Sequence, residues 1–297
     1  MAGSISMAKP GRWPRYQNVI FDCDSTLSRV EGIDQLANHP DTVRQVVDLT
    51  NAAMDGQIEL RQVYGKRLNI LKPTRGALRL LKQAYKKHQV PDADRLIAAL
   101  KILGHDIYIV SGGLLDPVRE FGLSLGINGK NIKAVDVEYD ELSGDWWRQK
   151  GNQWEQSYLD YTQSGLAESD GKARIIEDLL VNKQGRSLLV GDGVSDLLAR
   201  HAVDLFVGFG GVVQRQRVRD EADVYIESES LAPLLLLAGG SDASPNLDND
   251  PVRSLNRTAH QLIANSALHF NNTALQQKFR SGFAITSDKK LEHDLEL

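Results

Sequence analysis

Asp22-Cys23-Asp24-Ser25-Thr26 follows directly on the apolar run Asn18-Val19-Ile20-Phe21. A short apolar run ending in two carboxylates reads as a buried parallel strand that delivers acids to its carboxyl end, where open α/β sheets bind ligands. One carboxylate can attack phosphorus and form an acyl phosphate, while a second carries the leaving-group proton. Both reach one substrate only if the strand gives way to a loop at this point. Taken alone, a D-x-D pair suits an ordinary acidic loop or a metal site equally well. Three further segments tip the balance.

Val110-Ser111-Gly112-Gly113 ends a second strand-like run. A hydroxyl and free backbone N–H groups ahead of a helix suit a phosphate oxygen, whereas a plain glycine turn is the bland alternative. Lys172, in Asp170-Gly171-Lys172, opens a helix-like stretch. The helix dipole disfavours a lysine there, so a role toward a phosphoryl group competes with that of a solvated side chain. Gly191-Asp192-Gly193-Val194-Ser195-Asp196 follows a third strand-like run. Its two acids, four residues apart across a glycine turn, can meet a hard cation such as Mg²⁺, although an aspartate helix cap reads the same way.

The elements that position these segments follow from periodicity. Strands are expected at Asp106 to Val110, Ser187 to Val190, Asp204 to Val207 and Asp223 to Ile226. Helix-like stretches at Pro91 to Leu103, Asp116 to Leu125 and Gly171 to Val181 alternate with them. Such alternation predicts an α/β fold: a doubly wound, mostly parallel, Rossmann-like sheet with helices on both faces. About 80 residues separate the first two strands, well beyond a simple βαβ crossover. The excess is helical in pattern (Asp41 to Met54, Leu60 to Leu71), with Pro73 and Pro91 as breaks. We therefore expect a tail at 1–17, a catalytic core at 18–31 and 91–238, and an inserted helical cap at 32–90. Residues 239–297 read as a linker and tail of unassigned role, with one helix from about Val252 to Phe270. A chain cut near Gly239 is expected to fold and work. The stretch Val135 to Trp154, with Trp146, Trp147 and Trp154, suggests a hairpin or flap over the sheet edge.

Composition narrows the function classes. With 41% hydrophobic and 25% charged residues and a net charge of -4, the 297-residue chain is long enough for a sizeable core and is no obvious partner for nucleic acid. No apolar stretch approaches a membrane span, and the N-terminus lacks the apolar run of a secretory leader. The single cysteine, Cys23, fits a reducing compartment, and a cytoplasmic location is expected. The run Val207 to Gln216 is glycine-rich but lacks G-x-G-x-x-G spacing, so it does not read as a dinucleotide site.

In the order D-x-D-S-T, S-G-G, G-K, G-D-G-x-x-D, the chain from about Asn18 to Ser228 resembles the haloacid dehalogenase-like phosphohydrolases, and within them the phosphoserine phosphatase family. Glu31-Gly32-Ile33-Asp34, Ala53-Met54-Asp55-Gly56 and Lys66-Arg67-Leu68 extend the likeness. The resemblance implies Asp22 as nucleophile and Asp24 as general acid and then base. It implies Ser111, the Gly112 amide and Lys172 as phosphoryl ligands. Asp22, the Asp24 carbonyl, Asp192 and Asp196 would hold Mg²⁺. In the cap, Glu31 would take the substrate ammonium, Arg67 its carboxylate, and Met54 would line the site. Ser195 replaces a usual Asn or Thr, Leu60 a frequent Phe, and Ala134 to Val137 a segment that carries an Asn in relatives. The Trp-rich insertion has no counterpart. The expected partner is a small-molecule phosphate ester, O-phosphoserine first and another small metabolite phosphate second, with a homodimer left open. A non-catalytic relative that binds Mg²⁺ or phosphate is disfavoured, because it has no use for the proton-carrying Asp24.

Overall fold

The computed structural model describes residues 12–37, 40–55, 57–58, 60–143, 156–161, 165–168, 171–240 and 250–287. Nine strands lie among them: β1 (Asn18–Phe21), β2 (Asp106–Leu114), β3 (Ile132–Val135), β4 (Val137–Tyr139), β5 (Tyr158–Tyr161), β6 (Ser187–Gly191), β7 (Leu205–Phe209), β8 (Val224–Ile226) and β9 (Leu268–Phe270). Seven form one sheet in the order β3-β2-β1-β6-β7-β8-β9, and β4 pairs antiparallel with β5 in a separate ribbon. Every pairing from β3 across to β8 is parallel; only β9 runs antiparallel, on β8. The fold is therefore an α/β, doubly wound, mostly parallel sheet, as the alternation of elements predicts. Strands β1, β6 and β7 are buried at every residue, which is why they read as unbroken apolar runs rather than alternating ones.

The helices are α1 (Pro40–Met54), α2 (Leu60–Leu71), α3 (Arg75–Lys87), α4 (Ala93–Ile102), α5 (Leu115–Ser124), α6 (Gly171–Leu180), α7 (Val194–Leu198), α8 (Gln216–Glu221), α9 (Leu234–Gly239), α10 (Asp250–Ala264) and α11 (Thr273–Ser287). Chain order puts α1, α2 and α3 between β1 and α4, within the stretch read as a cap. The sequence reading leaves 75–87 unassigned, yet Thr74 caps α3 by accepting the Ala77 N–H at 3.2 Å. Its buried face, Leu78, Leu81 and Tyr85, is set against α5 of the core. Tyr85 stacks on Phe121 at 5.7 Å between ring centroids, and Lys82 pairs with Glu120 at 2.7 Å.

Both chain ends depart from the expectation of loose tails. Trp13 and Tyr16 are buried; the Trp13 indole N–H donates to the Leu237 carbonyl at 2.8 Å, and its ring meets Phe279 edge-on at 5.0 Å. The single helix expected from Val252 to Phe270 is corrected. Helix α10 stops at Ala264, and Ser266 takes a left-handed φ of 63°. The chain then adds Leu268–Phe270 to the sheet as β9. The apolar residues Leu268 and Phe270 follow a turn too short to show in periodicity, so strand and helix merge in the sequence.

His105, between α4 and β2, donates from Nδ1 to the Tyr16 carbonyl at 2.7 Å. Its Nε2 is buried without a partner, and burial lowers its pKa to about 4. The unfolded value is about 6.5, so the fold favours neutral imidazole. That stability is complete above pH 6.5 and declines as pH falls toward 4, by up to about 3 kcal/mol. Urea unfolding at pH 7.5 and 4.5 is expected to show a shallower acid loss in His105→Asn than in the parent. Parallel losses would assign the acid sensitivity to other groups.

Candidate active site

β1 ends at Phe21 between β2 and β6, where connections leave the sheet in opposite directions. The carboxyl ends of these three strands deliver the acidic loop, Ser111 and the Asp192 loop to one cleft. The regular strand stops before Asp22, as two convergent carboxylates require, and Ser25 holds a left-handed φ of 53°. A non-glycine residue in that conformation marks a turn over-determined by its surroundings. Ser25 Oγ donates to Glu31 at 2.7 Å, tying the loop to the first residues of the insert.

Asp22, Asp24, Glu31, Arg67, Ser111, Gly112, Lys172 and Asp196 line this one cleft, with Ser195 and Glu168 beside them. Eight residues singled out from the sequence thus converge, although they span positions 22 to 196. Asp192 is buried alongside, and one carboxylate oxygen each from Asp22, Asp192 and Asp196 lies within 4.8 Å of the others. That trio can hold a metal ion. Met54 closes α1, but its side chain lies outside the described residues, as does that of Leu60. So do residues 144–155, with the three tryptophans of the expected flap; only its base, β4 paired with β5, is described.

Lys172 emerges from the first turn of α6 and is 3% exposed. Its ammonium donates to Asp22 Oδ1 at 2.8 Å and Asp196 Oδ1 at 2.6 Å. Burial works against its charge, but Asp196 and Asp22 outweigh that and raise its pKa. The disfavoured helix position is thus offset by two carboxylates. Asp196 also accepts the Gly193 N–H at 3.1 Å, and a side chain at Gly191 would collide with its carboxylate at 2.2 Å. The first glycine of G-D-G is therefore a space requirement.

Burial dominates the other carboxylates. Asp24 is pushed up to about 7, with Asp22 adding to burial while bonds from Tyr85 and Gly32 oppose it. Asp196 rises to about 6 through burial, held back by Lys172. Asp192 lies well above the usual range because of burial and Glu31, against the pull of Arg215. Glu31 rises to about 8 by burial and by the nearby Asp24. So many crowded acids favour either protons or an added cation.

Sequence reasoning passed over two neighbours. Arg215, 6% exposed, donates from Nε to Asp192 at 3.3 Å and from Nη1 to Asp55, at the end of α1, at 3.0 Å. A basic residue a few positions beyond the glycine-rich end of β7 is the signal that could have flagged it. Tyr85 donates to Asp24 Oδ1 at 2.5 Å. Nothing in its helical spacing distinguishes it from a core aromatic.

Solved structures place the sheet and its helical insert in a class. The chain aligns with a haloacid dehalogenase-family hydrolase from Salmonella enterica serovar Typhi at a TM-score of 0.63 and 19% identity, over 79% of this chain and 73% of that one. It aligns with a substrate-bound phosphoserine phosphatase at 0.62 and 23%, over 74% and 97%. The fold is thus of the haloacid dehalogenase type. In sequence, the human phosphoserine phosphatase is 32% identical over 210 residues, covering 70% of this chain and 88% of its own. The Drosophila melanogaster enzyme is 32% identical over 212 residues, covering 71% and 74%. The chain belongs to the phosphoserine phosphatase family, a family of phosphoric monoester hydrolases. No protein-family profile matches it.

Proposed function

We propose that the protein hydrolyses O-phospho-L-serine to serine and phosphate through an aspartyl-phosphate on Asp22. The observation that carries this reading is the joint presence of an acid and a guanidinium, Glu31 and Arg67, on the wall of the cleft that holds Asp22. Arg67, 3% exposed, is held from α2 by a bond from Nη1 to Thr50 Oγ1 at 2.9 Å and lies over the Tyr64 ring. Its Nε is buried without a partner, so it retains a hydrogen to offer. A guanidinium fork suits a carboxylate. Burial and Asp24 raise the pKa of Glu31 despite the nearby Arg215; an arriving ammonium favours its ionised form.

Asp22 then attacks phosphorus while Asp24 protonates the departing serine oxygen. In the second half Asp24 takes the proton of the water that cleaves the acyl phosphate. Ser111, the Gly112 N–H and Lys172 receive the phosphoryl oxygens. Lys172 also offsets the charge of Asp22 and Asp196, which lets a dianionic ester approach. The carboxylates of Asp22, Asp192 and Asp196 and the Asp24 carbonyl form a hard oxygen donor set for Mg²⁺. When bound, the ion supplies positive charge against the phosphate and the acids around it. Residues 32–90 act as the cap that carries substrate selection, and a cytoplasmic location accords with Cys23 being buried and unpaired. Among the described residues, no helix is long and apolar enough to cross a membrane.

Arg67→Ala and Glu31→Gln test the substrate. Losing a charged hydrogen-bonding partner should cost about 10- to 150-fold in kcat/KM for phosphoserine. An aryl phosphate without carboxylate or ammonium should lose far less. Equal losses on both esters would move the reading to a different phosphate ester.

Metal binding has its own readout. Mg²⁺ should raise the melting temperature of chelator-treated protein, by the equivalent of about 2.7 kcal/mol at a hundredfold excess over Kd. Asp192→Ala should lose most of that rise. An equal rise in parent and variant would remove Asp192 from the metal site.

A further inference from the structure

The hydroxyl of Tyr85 stands where the chemistry of Asp24 is set. We propose that Tyr85 is a positioning residue for Asp24, fixing the orientation of the carboxyl that hands a proton to the leaving oxygen. The inference rests on the assignment of Asp24 as proton donor made above.

Both oxygens of Asp24 are spoken for by protein donors: Tyr85 Oη reaches Oδ1 at 2.5 Å, and the Gly32 N–H reaches Oδ2 at 2.9 Å. Together they fix the carboxyl plane, which one bond alone would leave free to rotate. The neighbours leave room for little else. A side chain at Gly32 would meet Tyr85 Oη at 2.1 Å, and one at Gly113 would meet Asp24 Oδ1 at 3.2 Å. The first of these explains a glycine directly after Glu31.

Tyr85 is itself held firmly. It is fully buried, and its ring stacks on Phe121 of α5. Ser28 Oγ, from the loop that carries Asp24, donates to the Tyr85 carbonyl at 3.1 Å and the His88 carbonyl at 3.2 Å. The Arg29 N–H donates to the His88 carbonyl at 2.8 Å, and the Val90 N–H to the Leu27 carbonyl at 2.9 Å. The end of α3 and the catalytic loop are thus tied together. Tyr85 therefore belongs mechanically to the core, although it lies within the stretch read as the cap. A hydroxyl mounted this way keeps its aim whatever α1 and α2 do.

The leaving group separates a positioning role from a packing role. Serine leaves as a poor, strongly basic alkoxide and needs its proton, whereas p-nitrophenolate leaves without one. Tyr85→Phe keeps the ring and its stack on Phe121 while removing the hydroxyl. It is expected to lower kcat/KM for phosphoserine by about 10- to 100-fold, the size of a lost hydrogen bond to a charged group, with KM changed little. For p-nitrophenyl phosphate the loss should stay within about threefold, because the proton contributes little to that step. Adding Tyr85→Phe to Asp24→Asn should cost almost nothing further on phosphoserine.

Equal losses on the two esters, or the same factor in the Asp24→Asn background, would overturn the inference and leave Tyr85 a packing residue. No loss on either ester would overturn it as well. Asp24→Asn alone distinguishes this failure from that of the underlying reading. If that variant shows no preference between leaving groups, the assignment of Asp24 fails. If it shows the preference and Tyr85→Phe does not, only the role of Tyr85 fails.

Discussion

Asp22→Asn is expected to abolish turnover, by a factor on the order of 10⁴ to 10⁶, and to leave no covalent phosphoenzyme. The carboxylate supplies an anionic oxygen to phosphorus; an amide of the same shape is neutral and a poor nucleophile. The substitution is nearly isosteric. Its oxygen can still accept from Lys172, which now bonds Asp22 Oδ1 at 2.8 Å, so the site keeps its form while losing the attacking atom. Rapid quenching of the parent with labelled substrate should trap an acid-stable, hydroxylamine-sensitive phosphoprotein. The variant should trap none. Full activity in the variant would end the covalent reading on Asp22.

The expectation that a chain cut near Gly239 folds and works is reversed by the structure: removal of everything after Gly240 is expected to leave an insoluble or uncooperatively folded fragment. The cut takes away Val252, Leu255 and Phe279, all buried, together with β9. Burying a large apolar side chain contributes about 1.5–3 kcal/mol, so the three side chains alone supply about 5–9 kcal/mol. A whole domain is stable by only about 5–15 kcal/mol. The cut also bares the edge of β8, whose three residues are buried, and an exposed apolar edge invites pairing between chains. Circular dichroism and sedimentation of the 1–240 fragment would decide the matter. A soluble fragment with a sharp melt and phosphatase activity would show that the C-terminal helices are dispensable.

Most of the phosphoryl machinery was legible in the sequence because it lies at or near strand ends, where a short apolar run meets Gly, Ser or Asp, while Lys172 was flagged by its place at the start of α6. Asp22 and Asp192 each follow a buried strand, and Ser111 follows the apolar residues Ile107 to Val110 within β2, so the change in composition is abrupt. Helix α3 was not legible: Leu78, Leu81 and Tyr85 mark a good amphipathic face, but the basic residues around them masked it. Tyr85 could not be told from a packing aromatic, since its role depends on a hydroxyl meeting a carboxylate 61 positions earlier. The three-residue β9 was hidden for a different reason. So short a strand carries too few residues for alternation to register, and its place is set by β8 and by the turn at Ser266.

The order of strands across the sheet has a consequence for how the chain is made. β1 lies in the middle, yet one neighbour begins at Asp106 and the other at Ser187. During synthesis its apolar residues leave the ribosome long before either edge is available to them. Trp13 waits longer still, since its ring partner is Phe279. The nascent protein therefore carries β1 with one edge unpaired until more than half of the 297 residues have been made, and Trp13 without Phe279 until near the end of synthesis.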